Sequence, residues 1–420
     1  MTATGPVTVD TPLGPDALVF LAMTGREALG KPFDYAVDLV SDDPNITLGD
    51  LLGQPMAVHL ELTDGELRHF HGFVTEVEFV ENVRPMAIYR VRLRPWLWLL
   101  ANTTNCRIFQ NLTAPEIVKQ IFRDRGFTDF EDALTEEYPK ADYVVQYRES
   151  DLNFATRLLE HAGIYYYFRH AESAHTLVLA DSHGAHKRTP GCGQLPYYPP
   201  DEHRARLQEC VDTWRLTQRI TPGVVALRDF DFERPNADLS AKRSAPKDYA
   251  KADFEVYDYP GDYRERSDGE VQARVRLEER QGQDYEEASG HTNARGFTMG
   301  ALVELTDHPR DDQNREYLIT SAELSLSGHE VQTSGAESST DVTFSSDFAA
   351  IDSRVPFRTA RTARKPIVEG PQTAVVVGKA GEEIWTDKYG RVKVQFHWDR
   401  LGERNENSSC WVRVAQAWAG

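Results

Sequence analysis

Asp387-Lys388-Tyr389-Gly390-Arg391-Val392-Lys393-Val394-Gln395-Phe396-His397-Trp398-Asp399-Arg400 reads as a turn followed by a strictly alternating strand. Val392, Val394, Phe396 and Trp398 fall on one face, and Arg391, Lys393, Gln395 and His397 on the other. That is the period of an extended chain. Gly390 supplies the backbone freedom that closes the turn. By itself the stretch predicts a half-buried antiparallel strand of a barrel.

The chain around it has 420 residues, which predicts two to four domains. It carries 47 Lys and Arg against 66 Asp and Glu, a net charge of -19. Nucleic acid selects for a basic stripe, so no nucleic-acid partner is expected. A negative surface is repelled by anionic membranes, and no apolar run is long enough to span one, so no stable membrane insertion is expected. Residues 1–20 lack a basic start followed by an apolar run, so no secretory signal is expected. The expectation is cytoplasmic synthesis and export by a route without a cleaved signal. Cys106, Cys192, Cys210 and Cys410 are widely spaced, which predicts reduced, buried thiols rather than a disulfide framework or a zinc site.

Upstream, residues 15–100 read as strands and turns. Met56 to Leu62 alternates before the turn Thr63-Asp64-Gly65, and Phe73 to Phe79 and Tyr89 to Leu93 alternate again. The run from Trp96 to Leu100 reads as core. The period then changes. Thr113-Ala114-Pro115-Glu116 forms a capping box ahead of Ile117, Val118, Ile121 and Phe122, and Gly126 stops the helix. A second helix runs from Ser150 to Gly163, followed by strands at Ile164–Phe168 and Thr176–Ala180. Residues 105–205 therefore read as an α+β insert. Strand-like segments resume near Cys210 and dominate to about residue 350. Residues 327–345 are rich in Ser, Thr and Gly and read as an exposed loop. Residues 358–372 have linker composition.

Two pieces resemble each other. Leu60-Glu61-Leu62-Thr63-Asp64 matches Val303-Glu304-Leu305-Thr306-Asp307, and Phe73-Val74-Thr75 matches Leu318-Ile319-Thr320. Strand–turn–strand patterns are common enough for chance to produce this; the other reading is two related barrels in one chain.

The quoted turn and strand resemble the signature of the valine-glycine repeat protein G (VgrG) family, the spike of the bacterial type VI secretion system. Arg107-Ile108-Phe109-Gln110, Tyr143 through Phe154, Arg157 to Glu160, Gly163 to Tyr166, Asp258-Tyr259-Pro260-Gly261, and His308-Pro309 with Tyr317-Leu318 are similar to that family too. Gly370-Pro371 opens its barrel segment. The family motif thus falls on Gly370, Pro371, Asp387, Tyr389, Gly390, Arg391, Val392, Phe396, Trp398 and Asp399.

The resemblance implies a mainly β fold with an α+β insert: two barrels of the contractile-phage tail-hub type and the N-terminal part of an OB-fold barrel. Residues 1–104 would form the first hub barrel, completed by about 206–235. Residues 105–205 would be the insert, 236–365 the second hub barrel and 366–420 the partial OB-fold needle base. It implies a homotrimer in the full-length protein, whose two barrels per chain give a pseudo-sixfold ring. It further implies a hexameric inner-tube protein, baseplate proteins, a tip protein and effectors as partners, and delivery into a target cell on contraction. The sequence stops within the expected OB barrel, ahead of the family's triple-stranded β needle. A piece of a longer subunit is therefore expected, with much of the subunit contact in the needle. Two other readings stand beside this one, a phage tail hub and a stand-alone hydrolase with a His/Asp site.

Candidate chemistry is sparse. His69 and His71 share a strand face as half a metal site would, but no third ligand has matching spacing, and they read as surface imidazoles. His183 and His186 follow Asp181-Ser182 without a nucleophile elbow and read as loop polarity. Alternation sends His397 and Asp399 outward beside Gln395. Glu136-Glu137 reads as a solvated charge run and Asp311-Asp312 as a turn. No catalytic residue, cofactor or metal is expected.

Overall fold

The computed structural model describes residues 5–83, 86–189, 191–282, 284–328, 342–382 and 385–415. The expected loop at 327–345 lies mostly outside them, as does Trp418. The fold is mostly β, as expected, and divides into two compact units. One holds Met1–Trp96, Asp129–Thr135 and Gly163–Ala360; the other holds Leu97–Thr128, Glu136–Ala162 and Arg361–Gly420. Segment 105–205 is thus shared between them.

The larger unit is built on one twelve-stranded sheet that contains the same arrangement twice. Numbered along the chain, the first set is β1 (Val7–Asp10), β2 (Val19–Ala28), β3 (Asp34–Ser41), β4 (Pro55–Glu61), β5 (Leu67–Val83) and β6 (Met86–Arg94). The second is β12 (Gln194–Pro196), β13 (Val211–Gln218), β17 (Glu286–Thr292), β18 (Leu302–Thr306), β19 (Glu316–Ser327) and β20 (Thr343–Asp352). The order is β1-β4-β5-β6-β3-β2 in the first and β12-β18-β19-β20-β17-β13 in the second, and β2 joins β19. β13 pairs with β17 and so falls in the second set, not with residues 1–104 as the sequence suggested.

The registers agree as well. Val74 faces Leu93 and Glu76 faces Arg92, with Thr75 the extra residue of a bulge; Ile319 faces Ala350 and Ser321 faces Ala349, with Thr320 the extra residue. Leu21 is skipped between Phe20 and Ala22 opposite β3, as Asp212 is skipped between Val211 and Thr213 opposite β17. Bulges are placed features of a sheet, not slack. Two differences remain. β1 runs antiparallel to β4 whereas β12 runs parallel to β18, and β5 has a further bulge at Val80. The short sequence repeat is only half in register. Phe73–Thr75 and Leu318–Thr320 are equivalent, but Val303 sits at the level of Met56, four residues from Leu60.

Burial follows the alternation. Tyr35, Val37, Leu39, Val58, Leu60, Phe70, Val74, Tyr89, Val91 and Leu93 line the first interior. Leu195, Val211, Ala288, Phe297, Val303, Leu305, Tyr317, Ile319, Phe348 and Ala350 form the second. In the same unit, β8 (Phe130–Ala133), β10 (Tyr165–His170) and β11 (His175–Ala180) make a small sheet. A third sheet joins β14 (Val224–Leu227), β15 (Ala241–Ser244) and β16 (Glu255–Asp258).

That third sheet packs on a helix the sequence did not suggest, Arg266–Gly282. Val271, Ala273, Val275 and Leu277 alternate like a strand. Ala273 and Leu277 are also one helical turn apart, and the positions between the apolar residues carry Gln272, Arg274 and Arg276, good helix formers. Both bury against Val225, Leu227 and Tyr263.

The smaller unit contains the two expected helices, Ala114–Asp124 and Asp151–Ala162, and the pair β7 (Thr104–Phe109) and β9 (Val144–Ser150). Thr113 Oγ1 accepts from Glu116 N at 3.3 Å and the Glu116 carboxylate accepts from Thr113 N at 2.8 Å, so the capping box forms on both sides. β21 (Ala374–Val377) and β22 (Lys393–Phe396) pair as a ribbon in the same unit. Among the described residues, the other α-helices, Leu48–Leu51 and Trp96–Leu99, are single turns.

Candidate functional site

The quoted stretch begins with a turn held by one carboxylate. Asp387 Oδ1 accepts from Tyr389 N and Arg391 N, each at 2.9 Å, and Oδ2 pairs with Arg391 Nε at 2.6 Å. Burial pushes this carboxyl up, but the hydrogen bonds from Arg391 and Tyr389 outweigh it and hold it below its ordinary range. Gly390 has a φ of 68°, the left-handed region that glycine enters freely. Tyr389 is exposed and flanked by Lys388 and Arg391 over its ring. Val392 exchanges backbone bonds with Val412 at 2.9 and 2.8 Å. Gly370, in the left-handed region too, and Pro371 lie exposed ahead of β21.

The alternation stops sooner than the sequence suggests. β22 ends at Phe396, and Asp399 N turns back to Phe396 O at 3.1 Å. Phe396 and Trp398 still share a side, their rings stacked at 5.0 Å. Gln395 and Asp399, expected outward, are buried. The Gln395 amide donates to Asp399 O at 2.8 Å, and the Asp399 carboxylate accepts from Leu401 N and Gly402 N. These polar groups go inside because the turn supplies their partners. His397 is exposed and apart from them. Trp398 Nε1 donates to Gln372 Oε1 at 2.8 Å, and Gln372 in turn donates to the Tyr147 hydroxyl at 3.0 Å.

Three other family-like residues meet in a buried knot that sequence reasoning missed. Asp151 is fully buried and accepts from Arg107 Nη2 at 3.1 Å, Arg125 Nε at 2.7 Å, Gln146 Nε2 at 2.7 Å and Thr103 Oγ1 at 2.9 Å. Burial raises its carboxyl, and the hydrogen bonds from Gln146 and Arg125 with the Arg107 charge overcome that and lower it. The available signal was an acid and two arginines inside apolar-patterned segments.

Several of the histidines are engaged in buried or part-buried hydrogen bonds. His71 is buried rather than on the surface, with Nδ1 2.9 Å from His175 Nδ1. Trp96 N–H donates to His175 Nε2, so the His175 proton sits on Nδ1 and points at His71. His170 takes the His71 N–H at Nδ1, and its Nε2 lies 3.2 Å from the Tyr35 hydroxyl. His69 meets His59 at 2.7 Å. His186, expected as loop polarity, is buried too, with Nε2 2.8 Å from Tyr165 Oη and Nδ1 2.8 Å from Gly300 O. Asp181 accepts from Thr135 instead. Burial drives His175 down to about 2, His170 to about 3 and His186 to about 4, so all three are neutral. Among the described residues, no three His, Cys, Asp or Glu side chains are grouped to hold a metal ion. Glu136 and Glu137 are exposed, and Asp311-Asp312 forms a single helical turn. Cys192 and Cys210 are buried, but Cys106 and Cys410 are only half-buried; none of the four is in a disulfide.

The geometry combines a duplicated sheet, polar knots that fix turns, and buried histidines hydrogen-bonded to neighbouring groups. The model of the phage tail baseplate hub family matches residues 26–330. The type VI secretion system spike proteins VgrG1a and VgrG1b of Pseudomonas aeruginosa are 49% identical over 417 residues and 48% identical over 414 residues. The chain belongs to the VgrG family. Each alignment covers 99% of this chain but only 64% and 55% of those two VgrG proteins, so the chain spans between about half and two thirds of their length. The solved structure of the Escherichia coli c3393 protein, described as a type VI secretion component similar to the T4 bacteriophage tail proteins gp27 and gp5, has the same fold. It superposes with a TM-score of 0.67 at 23% identity, covering 97% of this VgrG chain and 92% of that one. No described helix is long and apolar enough to cross a membrane.

Proposed function

We propose that the chain is the hub portion of a type VI secretion spike subunit with a mechanical, non-catalytic role. It assembles as a homotrimer, seats on a hexameric inner-tube protein, contacts baseplate proteins, and carries a tip protein and effectors into a target cell. It waits in the cytoplasm before firing and needs no cofactor. The observation that carries this reading is the duplicated strand set with matched registers and bulges. Three chains with two equivalent sets each present six modules, the number a hexameric ring requires. The two sets would be the two hub barrels, and residues 366–420 the opening of the OB-type barrel around the family motif.

Co-sedimentation of the protein with purified inner-tube rings tests this. Binding at one trimer per ring end is expected, and absence of binding to the rings counts against it. A phage tail hub is the second reading, favoured by the family match over 26–330. A phage tail tube in place of the secretion tube separates the two. The hydrolase reading has least support, because the buried histidines are already engaged with Tyr165, Trp96 and one another.

A further inference from the structure

The sheet of β15, β14 and β16 buries only one of its faces. Val225, Leu227 and Ala241 turn toward helix Arg266–Gly282 and are buried there. Alternation sends the residues between them to the other side. On that side the register places Lys242, Ala226 and Tyr257 in one row across β15, β14 and β16. Past the end of β14, Arg228 lies beside Tyr259, because Arg228 N donates to Asp258 O and Gly261 N donates to Arg228 O. Tyr257 and Tyr259 are 60% and 56% exposed, and Phe230, two residues beyond Arg228, is 58% exposed.

The solvent face of a half-covered sheet ordinarily alternates to polar side chains. This one carries two tyrosines, an alanine between flanking strands, and an arginine. Lys242 is neutralised by Glu255 at 2.7 Å across the face. Among the described residues, the Arg228 side chain has no hydrogen bond or ion pair. The motif Asp258-Tyr259-Pro260-Gly261, similar to the VgrG family, borders this face and holds it in place. Asp258 Oδ2 accepts from Arg276 Nη1 at 2.7 Å, and Oδ1 accepts from Tyr259 N at 2.9 Å. Tyr259 and Arg228 thus stand on tied backbone, which lowers the ordering cost of binding.

We infer that this face docks an acidic segment of a partner protein. A carboxylate of the segment meets Arg228, and its apolar side chains lie on Tyr257, Tyr259 and Ala226.

Charge, composition and size select this occupant. The unpaired charge of the face is cationic. Covering Arg228 with an apolar or basic segment would leave a guanidinium desolvated without a partner, whereas an incoming carboxylate completes it. Tyrosine and arginine are the side chains that most often anchor protein contacts, since they give large contact area from few rotatable bonds. Three strands about 4.8 Å apart leave roughly 10 Å between the outer two, the width of one extended chain or one helix. The occupant is therefore a segment and not a broad domain face, and its contact alone is weak. A polyphosphate needs a run of cations and is opposed by the net charge of -19, as is an anionic membrane. The face lies within one chain and is complete without the trimer.

A random peptide library displayed on yeast and selected against the chain tests this. Enrichment of peptides with Asp and Glu beside aromatic or aliphatic residues is expected. Synthesised singly, these peptides are expected to lose about tenfold or more in affinity toward Arg228→Glu, and likewise toward Tyr257→Ser with Tyr259→Ser. The three side chains are exposed, so the variants keep the fold, which circular dichroism checks. Selection against Arg228→Glu is expected to turn toward Lys and Arg. No enrichment, enrichment of peptides without acidic residues, or acidic peptides that bind the variants equally would overturn the docking. A single-stranded oligonucleotide or phosphatidylglycerol vesicles that bind more tightly than the peptides, and lose binding in Arg228→Glu, would overturn the protein occupant. Sedimentation of parent and Arg228→Glu chains is expected to show the same association. Association lost only in the variant would make this face a contact between copies and would overturn the inference as well.

Discussion

Thr75 and Thr320 are the extra residues of one bulge made twice, Thr75 between Val74 and Glu76 where β5 pairs with β6, and Thr320 between Ile319 and Ser321 where β19 pairs with β20. A bulge inserts one residue on one side of a ladder and turns the strand. Two strand sets that share order, register and bulge positions are copies of one module, and this duplication is the basis of the assembly proposed above.

The second module depends on a close approach at Gly290. A Cβ there would lie 2.4 Å from the Thr213 carbonyl oxygen and 2.8 Å from the Phe348 ring. The carbonyl belongs to backbone and cannot swing aside. Gly290→Ala is expected to cost about 1–3 kcal/mol through overpacking, read as a lowered urea midpoint. An unchanged midpoint would mean that β13 is not seated on β17 as described.

Asp151→Asn keeps the shape of the buried knot and removes the charge that Arg107 and Arg125 share. Breaking a buried ion pair from one side costs about 3–5 kcal/mol. The expected result is a large drop in the denaturant midpoint of the smaller unit. A change below about 1 kcal/mol would show that the knot contributes little.

Thr113→Ala removes the oxygen that accepts Glu116 N–H in the capping box. The expected loss is about 1 kcal/mol. Equal stability of the variant and the parent chain would contradict the observed cap.

Acid should weaken the larger unit through His170, His175 and His186. Their folded values lie at about 3, 2 and 4 because burial penalises the charged ring, against an ordinary value of 6.5. Between those limits the unfolded chain binds protons that the folded chain does not, so stability is full above pH 6.5 and declines as pH falls. The slope approaches about 1.4 kcal/mol per pH unit for each histidine. Urea midpoints measured from pH 7.5 to pH 5 should fall steadily, and a flat profile would contradict neutral burial of these rings.

Much of this architecture was legible in the sequence, and the failures share a cause. Helices with explicit caps, such as the one after Thr113, were readable because their signals are local. The β fold and the equivalence of Phe73–Thr75 with Leu318–Thr320 were readable because alternation and bulged threonines leave a pattern. The helix Arg266–Gly282 was hidden because its apolar residues fall at every second position, and only the partners at Val225 and Tyr263 select the helical face. Gln395, Asp399, His71 and His186 were placed outward because polarity was taken as exposure. Each is buried with a hydrogen-bond partner supplied from elsewhere in its unit, such as Gly402, His175 or Tyr165. Such partners are set by tertiary structure and leave no local signature. The second motif match, Leu60–Asp64 with Val303–Asp307, misled by four residues because the two hairpins have loops of different length.

The central claim is that two equivalent modules in one chain make a sixfold surface from three copies. Electron cryo-microscopy of the assembled subunit that contains this chain, viewed along its symmetry axis, measures this directly. The expected map has three copies, with the six modules related by rotations of about 60°. A monomer, a dimer, or a trimer whose two modules lie at different heights off any common ring would contradict it.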